Sequence, residues 1–234
     1  MRIEVCHSPE LIHLFDLSGK IAVVTDILRA TSCMVAGIGS GAEQIVPVAQ
    51  KEEVNPYKEK GFVTAGERGG EKIEGFDIGN SPFEHMEIAQ KGKSVVMTTT
   101  NGTVAITKSA VEAKQVIIGA FLNISSVVQY LKESGKDIVI VCSGWKGMFS
   151  MEDTLFAGAL VDRLESVAEI VDDAALSSMS LYRAVSGDLL GYMQNASHAK
   201  RLSGLKAVKD LEYCMTKDEF DVIPVLKDGA LVKM

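Results

Sequence analysis

The feature that most limits what this chain can fold into is an alternation that runs through most of its 234 residues. Short runs of β-branched and other apolar residues take turns with stretches of helical periodicity. Ile21–Thr25, Gln44–Val48, Phe62–Ala65, Ser94–Thr98, Gln115–Gly119 and Asp137–Cys142 read as strands. Helices are expected near Thr31–Ile38, Lys51–Lys60, Gly102–Glu112, Ile124–Glu133 and Glu152–Ser166. Strands that are apolar on both faces and separated by helices bury themselves in a parallel sheet. From Asp172 to about Asp210 the signal is helical, and the chain closes with Asp221–Leu226 and Ala230–Val232 around a Lys227-Asp228-Gly229 turn. The expectation is an α/β fold: a mostly parallel sheet covered by helices on both faces, with a C-terminal helical segment and an edge hairpin. No linker, repeat or low-complexity tract interrupts it, so a single domain over residues 1–234 is expected.

Charge and cysteine usage narrow the partners. The net charge is −7 and no Lys/Arg block occurs, which argues against nucleic acid. The four cysteines, Cys6, Cys33, Cys142 and Cys214, form no Cys-x-x-Cys pair, a pattern suited to a reducing compartment. Neither a signal peptide nor a run of membrane-spanning length is visible, so a cytoplasmic protein with no membrane partner is expected. Self-association is left open.

In a parallel sheet, ligands gather beyond the carboxyl ends of the strands, where loops enter helices. Four such loops carry more polar residues than a connection needs. Asp26-Ile-Leu-Arg-Ala-Thr-Ser32 offers a carboxylate, an arginine fork and two hydroxyls at a helix start; its plainer reading is a helix cap beside a surface ion pair. Thr98-Thr-Thr-Asn-Gly-Thr103 has more hydroxyls than a turn requires and suits an oxyanion. Gly66-Glu-Arg-Gly-Gly70 and Gly75-Phe-Asp-Ile-Gly-Asn-Ser-Pro82 combine glycines with charges of both signs; Ser81-Pro82 also reads as an ordinary helix entry. In the segment from Cys142 to Asp153, Glu152 and Asp153 sit where a helix dipole alone would favour acids, and equally where Mg²⁺ would want them.

Familiar signatures fail. Asp26 has Leu28 where an Asp-x-Asp motif needs its second acid, and Cys142 has Met148 where Cys-x₅-Arg needs arginine. Gly37–Ala42 lacks the P-loop lysine. His7, His13, His85 and His198 show no metal spacing and read as surface or half-buried residues.

Taken in order, the motifs at 26–32, 66–70, 75–82 and 98–103, with Ser143-Gly144 and Glu152-Asp153, resemble the 2-phosphosulfolactate phosphatase family. That resemblance implies Mg²⁺-dependent hydrolysis of 2-phosphosulfolactate, a small anionic phosphate ester, to 3-sulfolactate and phosphate, as a step of coenzyme M and sulfolactate biosynthesis. The expected machinery has Asp26, Arg29 and Asp153 as catalytic residues. Some of Asp26, Asp77, Glu152 and Asp153 would hold Mg²⁺, and Arg29 would clamp the phosphate. Thr31, Ser32, Asn80, Thr100, Asn101, Gly102, Thr103 and Ser143 would bind substrate, with Arg68 on its sulfonate or carboxylate. Two other readings compete: a cysteine hydrolase of the isochorismatase type using Asp26, Lys93 and Cys142, and a non-catalytic anion-binding protein. Lys93 precedes its strand and is expected at the opposite sheet edge from Cys142, which weakens the first.

Overall fold

The computed structural model describes residues 1–89, 91–205 and 207–234. Its first half contains β1 (Arg2–Cys6), β2 (Ile21–Thr25), α1 (Ala30–Gly39), β3 (Gln44–Pro47), α2 (Asn55–Glu59), β4 (Val63–Arg68), β5 (Glu71–Lys72), α3 (Pro82–Ala89), β6 (Ser94–Thr98) and α4 (Gly102–Ser109). There follow β7 (Gln115–Ile118), α5 (Ile124–Ser134), β8 (Ile138–Cys142), α6 (Met151–Leu164), β9 (Glu169–Ile170) and α7 (Asp173–Val185). The last stretch holds α8 (Leu189–Met193), α9 (Ser197–Gly204), α10 (Val208–Cys214), β10 (Pro224–Lys227) and β11 (Ala230–Lys233). The expected strands are present, and α7 to α10 give the segment after Asp172 its expected helical character; β1, for which no strand was expected, pairs in parallel with β8.

All strands join one sheet in the order β5-β4-β6-β3-β11-β10-β7-β2-β8-β1-β9. It is mostly parallel, as expected, but the expectation of an edge hairpin is wrong. The β10–β11 hairpin lies in the interior of the sheet, antiparallel to β7 through Val225 and Ile117 and to β3 through Leu231 and Ile45. Each hairpin strand meets its outer neighbour through a single residue pair, against four pairs between β10 and β11 themselves, so the hairpin resembles an edge in sequence. Asn123 strengthens the junction: its side-chain amide donates both to Ile118 O, at the end of β7, and to Val222 O, just before β10.

Three successive antiparallel pairings make the β3-β6-β4 block run opposite to the β7-β2-β8-β1 block. Strand twist of roughly 20–25° per neighbour accumulates to roughly 100–125° over the five steps from β2 to β6 and offsets much of that reversal. The carboxyl ends of β2 and β6 are therefore brought together instead of being held at opposite rims.

Helix α1 explains how they are joined. Its sequence, Ala-Thr-Ser-Cys-Met-Val-Ala-Gly-Ile-Gly, has no charged face, and every residue from Ala30 to Ile38 is buried. Such a helix belongs in the interior, and α1 packs on α3 and α4 and against strands of both blocks. Around α6, the ring of Phe121 stands edge-on to Phe156. Gly158 of α6 lets α7 come so near that a Cβ there would lie 2.0 Å from Ser178 O. Among the described residues, no helix is long and apolar enough to cross a membrane.

Candidate active site

The loop after β2 is folded by its own polar groups. Asp26 N donates to Thr31 Oγ1 (2.9 Å) while Thr31 N donates to Asp26 O (3.0 Å). Ser32 Oγ donates to Ile27 O at 2.9 Å. Thr31 and Ser32 are completely buried, so these two expected ligand-binding hydroxyls act as internal staples of the loop. What they present is Asp26, 8% exposed, whose Oδ1 accepts from Ala30 N at 3.3 Å.

The turn after β6 arrives from the other block. Thr99 and Thr103 lock it reciprocally, each backbone N–H donating to the other's hydroxyl at 3.1 Å, so Thr103 too is structural. A Cβ on Gly102 would stand 2.7 Å from Ala30 Cβ and 2.8 Å from Asp26 Oδ2, so only glycine permits this approach. Asn101 lines the cleft beside Asp26, with its Oδ1 accepting from Lys146 N at 3.0 Å. Thr100 N donates at 2.7 Å to Glu67 Oε1, and Gly70 N donates at 2.7 Å to Glu67 Oε2.

Glu67 is the acid of β4 that enters the cleft, 5% exposed. Successive strand residues face opposite ways, so Arg68 points elsewhere. It is exposed, donating to Thr98 Oγ1 and Glu67 O, and does not line the cleft. The cation expected to hold the substrate's second anionic group is thus turned away from it.

Arg29 does line the cleft and is 7% exposed. Its guanidinium is bound by Asp210 of α10 and donates to Gly70 O at 3.0 Å; Asp210 also accepts from Ser81 Oγ at 2.9 Å. The last helical segment, featureless in sequence, therefore fixes the central arginine.

Asp153 and Glu152, adjacent in α6, do different work. Asp153 accepts from Ile27 N (2.9 Å), Gly144 N (3.0 Å) and Ser150 Oγ (2.7 Å), tying the loops after β2 and β8 to the start of α6. It is 2% exposed and does not line the cleft. Burial, with Glu152 and Asp26 nearby, raises its proton affinity, while the three donors favour its ionised form. Glu152 Oε1 meets His198 Nδ1 at 2.5 Å. His198, which the sequence reading set aside, lines the cleft with Asp26, Arg29, Glu67, Asn80 and Trp145. Burial pushes the Asp26 carboxyl up to about 7; His198 opposes this, while Glu67 and Glu152 add to it.

Several buried polar atoms in and around this region lack a protein partner, among them Asn80 Oδ1, Thr100 Oγ1 and Ser143 Oγ. Asn80 faces the cleft directly. Asp77, expected as a metal ligand, stands apart: it is exposed and accepts from Thr64 N and Oγ1 at the far end of β4, and that backbone donor holds its carboxyl below the usual range. Among the described residues, no three His, Cys, Asp or Glu side chains are grouped as a ready metal cage. The cysteine-hydrolase reading finds no support. Cys142 is fully buried with its thiol pushed up by desolvation, and Lys93 is exposed at the amino end of β6.

Loops from both halves of the sheet thus define an α/β protein with an acid-lined, arginine-bearing cleft, the arrangement of an enzyme acting on a small charged molecule. A family model described as 2-phosphosulpholactate phosphatase matches residues 6–229. A Caldanaerobacter subterraneus protein named probable 2-phosphosulfolactate phosphatase is 42% identical over 219 residues, 92% of this chain and 90% of its own. Proteins of the same name from Thermotoga petrophila and Clostridium botulinum are 41% and 36% identical, covering 91% and 100% of this chain and 92% and 100% of their own. The chain belongs to the 2-phosphosulfolactate phosphatase family.

Proposed function

We propose that this chain is a cytoplasmic, magnesium-dependent phosphatase that hydrolyses 2-phosphosulfolactate to 3-sulfolactate and phosphate, a step of coenzyme M and sulfolactate biosynthesis. The observation that carries the reading is the convergence of Asp26 and Glu67 beside a fixed Arg29 in one cleft, with Glu152 close behind His198 at its wall. Carboxylates beside an anionic substrate repel it unless a cation intervenes. The residues present suit such a cation: Asp26 is costly to ionise without one, and the unpartnered Asn80 Oδ1 is a hard oxygen donor facing the same space. Mg²⁺ takes one or two carboxylates and keeps several waters, so it needs no closed protein cage. Asp26 and Asn80, which line the same cleft, are the residues to hold it. When bound, it would neutralise charge on the phosphoryl oxygens.

The chain's own groups supply the rest. Arg29, oriented by Asp210 and Gly70 O, directs its remaining N–H donors at the phosphoryl group. Asp153 holds the loops that carry Asp26 and Ser143 in place. His198, anchored through Nδ1 by Glu152, would exchange a proton at the departing sulfolactate oxygen.

The test is phosphate release from phosphorylated 2-hydroxy acids with and without a sulfonate, in EDTA and in Mg²⁺. Release only with Mg²⁺, and fastest from 2-phosphosulfolactate, is expected. Undiminished release in EDTA would remove the metal, and binding without release would return the non-catalytic reading. Independently of turnover, Mg²⁺ should raise the melting temperature of the wild type at pH 8 and leave that of Asp26→Asn unchanged.

A further inference from the structure

We infer that Arg201, stacked on Trp145 beside the cleft, forms a second oxyanion subsite, to which the exposed Lys146 near the same ring adds charge. It takes the acidic tail of the substrate, the sulfonate or carboxylate beyond the phosphate. The inference rests on the functional reading above.

The cleft needs such a subsite and cannot supply it from within. Its one arginine, Arg29, is already engaged by Asp210, and Asp26 and Glu67 line the same cleft. Arg68 is turned to Thr98. Next to the cleft, and sharing Trp145 and His198 with it, lies a vestibule also lined by Arg201, Phe149 and Glu152. Arg201 Cζ sits 4.2 Å from the centre of the Trp145 ring, and Lys146 Nζ lies 5.7 Å from it. A guanidinium stacked on an aromatic face keeps its N–H donors in its own plane, free for an oxyanion.

Those donors are not used by the protein. Arg201 Nε is buried without a hydrogen-bond partner, and among the described residues neither Arg201 nor Lys146 joins an ion pair. The one carboxylate lining the vestibule, Glu152, is paired with His198. In this reading a small acid with its phosphate beside Arg29 meets these cations through its second anionic group, which a simple monoester lacks. Trp145 serves as the platform that keeps Arg201 extended.

Trp145 is also the only tryptophan in the chain and lines both the cleft and the vestibule, so its fluorescence reports ligands at either, and the Arg201 and Lys146 variants separate the two. The probes are 3-sulfolactate, lactate (carboxylate alone), isethionate (sulfonate alone) and inorganic phosphate, titrated into wild type, Arg201→Gln, Arg201→Lys and Lys146→Gln. For the wild type, 3-sulfolactate should produce a saturable change, and the better of lactate and isethionate identifies the group recognised. Arg201→Gln should weaken 3-sulfolactate by about tenfold or more and phosphate by less than about twofold, with Arg201→Lys between. Lys146→Gln, at an exposed side chain, should weaken 3-sulfolactate by about threefold with the fold intact. Overturning results are no response to 3-sulfolactate, no selective effect in any variant, or equal loss for 3-sulfolactate and phosphate. Because the readout is binding, a protein that captures 3-sulfolactate through Arg201 but releases no phosphate would sink the proposed reaction and keep the subsite.

Discussion

Asp26 and Arg29 stand three positions apart in one loop, and their buried charges make opposite demands on the fold. Asp26 keeps its proton up to about pH 7 when folded, against 3.8 for the ordinary carboxyl. The folded state therefore binds more protons in that window, and stability falls as pH rises from about 4 to about 7. At about 1.4 kcal/mol per pH unit the full cost above pH 7 is a few kcal/mol. Asp26→Asn in EDTA should then melt several degrees above wild type at pH 8 and close to it at pH 4, measured by thermal unfolding across that range. For Arg29 the direction reverses. Arg29→Ala leaves Asp210 buried and uncompensated, which should cost about 3–5 kcal/mol in denaturant unfolding and abolish most turnover. The double variant Arg29→Met with Asp210→Leu should recover much of the stability and none of the activity.

Among the secondary-structure elements, the turns that touch Asp26 are the least forgiving. Gly102→Ala puts a methyl between Ala30 and Asp26, so α4 and α1 must separate; a loss of about 1–3 kcal/mol and a fall in kcat/KM of about tenfold are expected. Gly158→Ala meets the α7 backbone instead, far from the chemistry, and should lower melting temperature while leaving KM unchanged. While β1 and the two-residue β5 and β9 were not legible in the sequence, most strands and helices were, because β-branched runs and helical periodicity act locally. So was the clustering of polar loops, because each ends a strand. The division of labour within them was not. Thr31, Ser32 and Thr103 look like ligands in sequence but are consumed by the backbone. Glu67 and Arg68 are neighbours whose roles depend on which way the pleat points. His198, Arg201 and Asp210 sit in helices without any motif, and only the placement of α9 and α10 beside the cleft reveals them.

For the whole molecule, the position of the hairpin decides which parts open together. An edge hairpin would exchange its amide hydrogens early, ahead of the sheet. Here β10 and β11 bridge two blocks, so the amides of Val225 and Leu231 should exchange as slowly as those of β2 and β8, following global unfolding in hydrogen exchange.

That same bridge has a consequence during synthesis on the ribosome. The two strands it pairs with, β7 and β3, are made well before it, and each must wait with one row of N–H and C=O groups unmatched. An emerging polypeptide therefore carries two open, apolar strand borders until the segment holding β10 and β11 leaves the exit tunnel. Those borders are templates for pairing with another nascent copy. A ribosome stalled before residue 222 holds a product that is prone to stick to its neighbours and to be captured by chaperones.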